Sequence, residues 1–105
     1  MHINDINIAH NRIRPYIHKT PILTNKGLNM LASANLYFKC ENFQKAGSFK
    51  IRGATNAVAM LESDKIKNGI ATASSGNHGA ALSMAVSKRG GNTKVVMPEN
   101  TPKIK

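Results

Sequence analysis

An α/β fold built on a parallel sheet is what this sequence predicts, and three observations carry that reading. Short runs suited to strands, at residues 36–40, 70–73 and 94–97, alternate with stretches whose apolar residues recur at helical spacing. The order strand, helix, strand, helix, strand favours parallel pairing, because a parallel strand needs a crossover to bring the chain back to the same end of the sheet. Gly90-Gly91 and Pro98 mark ends of these runs, the first closing a helical stretch and the second a strand.

Taken in order, residues 3–16 place Ile6, Ala9 or His10, Ile13 and Ile17 near helical spacing, with Asn4 or Asp5 as the cap and Pro15 to end or kink the helix. Thr20-Pro21 marks a turn, Ile22-Leu23-Thr24 a brief extended piece, and 28–32 a short helix. The 36–40 run alternates and carries Tyr37 and Phe38, which suits a strand. From Ser48, a plausible cap, the spacing of Ile51, Ala54, Val58 and Leu61 makes a helical stripe. Residues 70–73 are extended, and 77–88 form an alanine-rich helix closed by Gly90-Gly91. Residues 94–97 are a further strand stopped by Pro98, and 102–105 read as the first turn of another helix. There is no internal repeat, low-complexity tract or linker.

With 105 residues, 41% hydrophobic and 19% charged, the composition is that of one small folded domain, short for an enzyme that encloses both a cofactor and a substrate. Fifteen Lys and Arg against five Asp and Glu give a formal charge of +10, but the basic residues are spread without a long run and aromatics make up only 5%. That pattern favours a solvated basic surface over a nucleic-acid binder, which needs stacking platforms. The single cysteine, Cys40, cannot form an internal disulfide, and no His/Cys spacing suits zinc, so no metal is expected. The N-terminus carries no apolar leader and no segment reaches spanning length, so the expected location is cytoplasmic, with no membrane partner.

Two stretches carry chemistry. In Gly47-Ser48-Phe49-Lys50-Ile51-Arg52-Gly53-Ala54, Lys50 stands where a flexible turn gives way to a helix, whose positive end favours the free, nucleophilic amine. Phe49 and Ile51 are apolar neighbours expected to desolvate that amine, and Gly47 would let a ligand approach the backbone. An amine of this kind condenses with a carbonyl such as the aldehyde of pyridoxal 5'-phosphate. In Ser74-Ser75-Gly76-Asn77-His78-Gly79, an extended run opens into a helix, presenting free N–H groups and two hydroxyls to a carboxylate or a phosphate. The same turn also reads as a simple strand-to-helix connection whose serines cap the helix. His78 reads as a general base or a first-turn polar residue; Cys40 suits packing better than nucleophilic chemistry; His2, His10 and His18 receive no role. Glu41 and Asn42 either hold the lysine loop or belong to an exposed turn.

Together with Lys39-Cys40-Glu41-Asn42-Phe43-Gln44, Thr20-Pro21-Ile22-Leu23-Thr24 and Val96-Met97-Pro98-Glu99-Asn100, these stretches closely resemble the serine/threonine dehydratase and serine racemase family of fold-type II pyridoxal-phosphate enzymes. The resemblance implies a parallel-sheet, tryptophan synthase β-like architecture and pyridoxal 5'-phosphate as cofactor. It implies that Lys50 forms the Schiff base, that Phe49 and Asn77 contact the cofactor, and that Ser74, Ser75, Gly76, Asn77 and His78 receive the substrate carboxylate. Ser75 resembles the racemase and hydroxyaspartate-lyase branch, in which this hydroxyl is a second catalytic group on the opposite substrate face.

Ala80 departs from the glutamine frequent in relatives, and the glycine-rich loop that binds the cofactor phosphate has no counterpart here. The expectation is therefore that residues 1–105 are the N-terminal part of a catalytic domain, a fragment that lacks the phosphate-binding portion and binds cofactor poorly alone. The implied activity is β-elimination of a hydroxy amino acid such as serine or threonine to a 2-oxo acid and ammonia. The alternatives are serine racemase or hydroxyaspartate ammonia-lyase activity, or an inactive anion-binding module. A small-molecule amino-acid substrate and a homo-oligomer are the partners implied.

Overall fold

The computed structural model describes residues 2–102. Helix α1, Ile3–Ile13, opens with the Asp5 carboxylate accepting the His2 backbone N–H at 2.8 Å. Asp5 thus caps from inside the first turn, whereas the sequence suggested a cap immediately before the helix. Pro15 lies in a 3-10 turn, Arg14–Tyr16, which ends α1 as a proline should. Strand β1, Ile22–Leu23, leads to α2, Lys26–Ala32, whose Asn25 side chain accepts the Leu28 N–H at 2.9 Å. Ser33, at φ +50°, closes α2 in the left-handed conformation.

Strand β2, Phe38–Lys39, corrects one expectation. The 36–40 run yields only two paired residues, and they join β1 antiparallel, Ile22 opposite Lys39 and Leu23 opposite Phe38, outside the parallel sheet. A strand inside a parallel sheet is buried on both faces, and this run carries Lys39, whose Nζ donates instead to the Thr20 carbonyl at 2.6 Å. The arm made by β1, α2 and β2 contains no buried residue: Met30, Leu31 and Tyr37 are 81%, 85% and 71% exposed. The arm stands off the rest, so the radius of gyration is 16.8 Å, against the roughly 13 Å of a compact domain this long.

Two 3-10 turns, Glu41–Phe43 and Lys45–Gly47, connect the arm to α3, Lys50–Ala59. After α3 comes a short helix that the sequence reading did not anticipate, α4, Ser63–Lys67, with Ile66 its one buried residue. Strand β3, Ile70–Ala73, α5, Asn77–Ser87, and β4, Thr93–Val96, then form a β-α-β unit, with Ile70 opposite Thr93 and Ala73 opposite Val96 in parallel register. These two strands are the whole parallel sheet among the described residues. The helical turn expected at 102–105 falls almost entirely outside them.

The core is the seam between α3 and α5. Ile51, Ala54 and Val58 meet Ala81, Leu82, Ala85 and Val86, with Ile66 of α4 sealing one end and Leu61 packed against the cluster. The apolar stripe read from the sequence is thus the buried face of α3. Arg89, just beyond α5, donates to the Val58 and Leu61 carbonyls and so ties the end of α3 and the turn after it to α5. Arg12 of α1 donates to the Asn56 side chain, tying α1 to the outer face of α3.

Gly91 packs directly under this seam. A Cβ there would stand 2.6 Å from Ile66 Cγ2 and 2.8 Å from the Ile66 carbonyl oxygen, both closer than real contacts allow. Gly91→Ala is therefore expected to lower stability by about 1–3 kcal/mol, the usual cost of overpacking. Urea unfolding measures this, and an unchanged midpoint would show that Ile66 gives way freely beside position 91.

Candidate active site

The turn after β3 is organised by Ser74. Its backbone N–H extends the sheet ladder to the Val96 carbonyl at 3.0 Å, and its Oγ accepts the Gly79 N–H at 2.9 Å and the Gly76 N–H at 3.3 Å. Ser74 therefore caps α5, and its acceptor capacity is used inside the turn. Gly79 is buried against it: a Cβ at this position would meet Val95 Cγ1 at 2.9 Å and Ser74 Cβ at 3.3 Å. This close approach draws the start of α5 onto the ends of β3 and β4, leaving Ser75, Asn77 and His78 exposed at the helix start. The first N–H groups of any helix lack internal partners, so the amides of Asn77 and His78 are available to an anion at the positive end of an eleven-residue helix.

Lys50 is the first residue of α3 and is exposed, its Nζ lying 5.1 Å from the centroid of the Phe49 ring. The desolvating shell expected around this amine is not formed by its two neighbours. Phe49 is itself 58% exposed, and Ile51 turns into the core at 2% exposure because it belongs to the α3–α5 seam. Ser48 likewise departs from its expected role. Phe49, not Ser48, precedes the helix, and the Ser48 hydroxyl is buried with no hydrogen-bond partner. The preceding residues are held in the left-handed region, Ala46 at φ +60° and Gly47 at φ +66°, and open space lies beside Gly47 where a Cβ would be.

The predicted residues thus form two groups. Phe49 and Lys50 stand together at the start of α3; Ser74, Ser75, Gly76, Asn77 and His78 form one turn at the start of α5; the helices that carry them share a single core. An exposed amine, an open glycine turn beside it, and a helix start with free amides fit the reactive, aldehyde end of pyridoxal phosphate and an amino-acid carboxylate. Among the described residues there is no cluster of three or more His, Cys, Asp or Glu that could hold a metal ion, and no helix long and apolar enough to cross a membrane.

Sequence reasoning left undecided the group that anchors the lysine loop. The Glu41 carboxylate accepts Arg52 Nε at 2.8 Å and Nη2 at 2.7 Å, and the Thr20 hydroxyl at 2.6 Å. Gln44, 4% exposed, spans the loop: its Oε1 accepts the His18 and Lys45 N–H groups at 2.8 and 3.0 Å, and its Nε2 donates to the His18 carbonyl at 2.8 Å. Lys45 Nζ adds a bond to the Tyr16 carbonyl at 2.8 Å. These bonds clasp segment 16–20 to segment 41–45 and to α3. Beside the clasp lies a cleft of about 640 Å³ lined by His10, Arg14, Ile17, His18, Lys19, Lys39 and Arg52, which gathers part of the net positive charge on one face.

Comparison with known proteins gives consistent matches. Residues 13–105 match the family described as pyridoxal-phosphate dependent enzyme. The chain is 54% identical over 103 residues to a serine racemase of Dictyostelium discoideum, covering 98% of this chain and 32% of that protein. It is 52% identical over 101 residues to a β-hydroxyaspartate dehydratase of Paracoccus denitrificans, covering 96% and 32%. A solved maize serine racemase superposes with a TM-score of 0.91 at 44% identity, over 96% of this chain and 31% of that one. The chain spans about a third of the length of the curated relatives it matches. The structural likeness bears out the fold-type II architecture expected from the sequence.

The Arg52 fork, with further help from the Thr20 hydroxyl and the Lys39 charge, outweighs partial burial and lowers the Glu41 carboxyl to about 2 from an ordinary 4.5. A carboxylate whose folded value is depressed stabilises the fold above its unfolded value, and that stabilisation drains away as pH falls through the folded value. Stability from this pair is thus expected to decline between about pH 4.5 and about pH 2, by up to about 3 kcal/mol. Glu41→Gln should be less stable than wild type near neutrality and should flatten that acid limb. Urea unfolding across the window checks it; parallel acid limbs in the two proteins would contradict it.

Proposed function

This chain belongs to the pyridoxal-phosphate dependent enzyme family, and from that premise we propose that residues 1–105 supply the amine and the carboxylate-binding turn of an enzyme acting at the α-carbon of a small hydroxy amino acid. The observation that supports this reading is that Lys50 and the 74–79 turn each stand at the start of one of two helices that share a core. When bound, the cofactor supplies an electron sink that makes the α-proton of an attached amino acid labile.

Lys50 Nζ would be the group that holds the cofactor at its aldehyde, and as a free amine it would serve as the base for the substrate α-proton. The Asn77 and His78 amides and the Ser75 hydroxyl hold the substrate carboxylate, which orients the α-C–H bond towards Lys50. The Asn77 side chain reaches the cofactor, and Phe49 packs beside it. Ser74, whose oxygen already accepts two amides, shapes this turn from behind.

Two outcomes follow from the same proton abstraction. Loss of the β-hydroxyl as water leaves an enamino acid, and its hydrolysis by a further water gives a 2-oxo acid and ammonia, which is serine/threonine dehydratase or hydroxyaspartate ammonia-lyase chemistry. Return of a proton to the opposite face from Ser75 Oγ gives the other enantiomer, which is racemisation. Support for keeping both comes from the relatives, a serine racemase and a β-hydroxyaspartate dehydratase, and from the exposure of Ser75 on the turn.

Mixed with an excess of pyridoxal phosphate, the protein is expected to develop a visible absorption band that Lys50→Ala weakens, with the remainder coming from the other lysines. With L-serine, L-threonine or 3-hydroxyaspartate, Ser75→Ala should lose formation of the opposite enantiomer, by roughly a hundredfold or more, while 2-oxo acid release persists. A band undiminished in Lys50→Ala would sink the assignment, and it is also what an anion-binding module without catalysis would show.

A further inference from the structure

We propose that Arg52, acting through Glu41, is a positioning residue that sets the direction in which Lys50 presents its amine; this rests on the assignment of Lys50 as the condensing amine. Successive residues of an α-helix point about 100° apart. Residues 50, 51 and 52 therefore face three different sides of α3, and the structure gives each a different surrounding. Ile51 is buried in the seam, Arg52 is held by Glu41, and Lys50 is exposed with its Nζ over the Phe49 ring.

The seam alone defines the rotation of α3 weakly. Apart from Ile51 and Leu82, it is made of Ala54, Val58, Ala81, Ala85 and Val86, small side chains whose shallow ridges resist turning or sliding less than long ones. Lys50 also stands at the first residue of the helix, where intrahelical bonds are missing and fraying begins.

The guanidinium supplies what the seam lacks. Its Nε and Nη2 meet two different oxygens of one carboxylate, a fork that fixes orientation as well as distance. Glu41 is in turn immobilised by Thr20, which is 4% exposed and receives Lys39 Nζ on its own carbonyl. The pair thus ties the α3 side opposite Lys50 to a buried point outside the helix. Between Glu41 and Lys50 the chain passes through two 3-10 turns and the left-handed Ala46 and Gly47; Gln44 and Ala46 hold its middle, and the fork adds the tie that reaches the side of α3 itself.

The test reads which lysine reacts. The protein is incubated with pyridoxal phosphate, reduced with borohydride and digested, and the share of pyridoxyl label on Lys50 relative to the other lysines is measured by mass spectrometry. Arg52→Gln and Glu41→Gln should each lower that share by at least roughly threefold, well within what a misplacement of about 1 Å produces. Val58→Ala loosens the same helix by removing core volume without touching the pair, and should leave the share unchanged while lowering the unfolding midpoint. An unchanged share in Arg52→Gln overturns the proposal, as does an equal fall in Val58→Ala, which would make the pair a matter of stability alone. A wild-type protein that carries no label on Lys50 removes the assignment beneath it as well, and is told apart because no variant is needed to see it.

Discussion

Everything that positions the candidate site rests on the contact of α3 with α5. Burial of Ile51, Ala54 and Val58 against Ala81, Leu82, Ala85 and Val86 is the largest apolar contact in the described chain, and it determines which helix faces are left for chemistry. Lys50 is the residue before the first buried position of α3, and Asn77 lies one turn before the first alanine of α5 in the seam. Removing the seam would leave an unremarkable surface lysine and a serine-rich turn. Neither group has a property of its own that would mark it as reactive; their placement does.

A second layer keeps this arrangement from drifting. Polar side chains, not apolar ones, hold segment 16–20 against segment 41–45, with Gln44 bridging backbone groups and Glu41 gathering Thr20 and Arg52. Such a clasp suits a region next to a ligand site. Directional bonds hold a loop at a defined position without requiring it to be packed on all sides, so one face of Lys50 stays open. The left-handed Ala46 inside this loop is the kind of local cost that a surrounding network must overcome.

Much of this was readable before any coordinates. The α3 stripe, strand 70–73, the helix from Asn77 and its glycine stop all match, because each has a local cause in spacing or turn chemistry. Three things were not readable, and each depends on contacts distant in sequence. Strand 36–40 pairs with residues 22–23 because Lys39 finds its acceptor at Thr20, a contact that alternation does not encode. Ser48 has the composition of a cap, but the left-handed turn before it sends its hydroxyl inward. Glu41 and Gln44 stand in a motif whose sequence offers polar residues in a loop, and only the fold shows that Gln44 is buried and Glu41 mostly covered. The expected apolar shell at Lys50 failed for a related reason: Ile51 has one side chain, and the core took it.

The arm formed by β1, α2 and β2 carries a consequence for handling the polypeptide in solution. It displays Met30, Leu31 and Tyr37 on a molecule whose formal charge is +10, so two copies approach under opposing forces, a short-range attraction between oily surfaces and a longer-range Coulomb repulsion. Electrolyte shortens the reach of the second to about 10 Å at 0.1 M and leaves the first untouched. Colloidal behaviour should consequently run opposite to that of an ordinary salted-in globulin, with dilute buffers keeping the copies dispersed and added sodium chloride drawing them together through the arm.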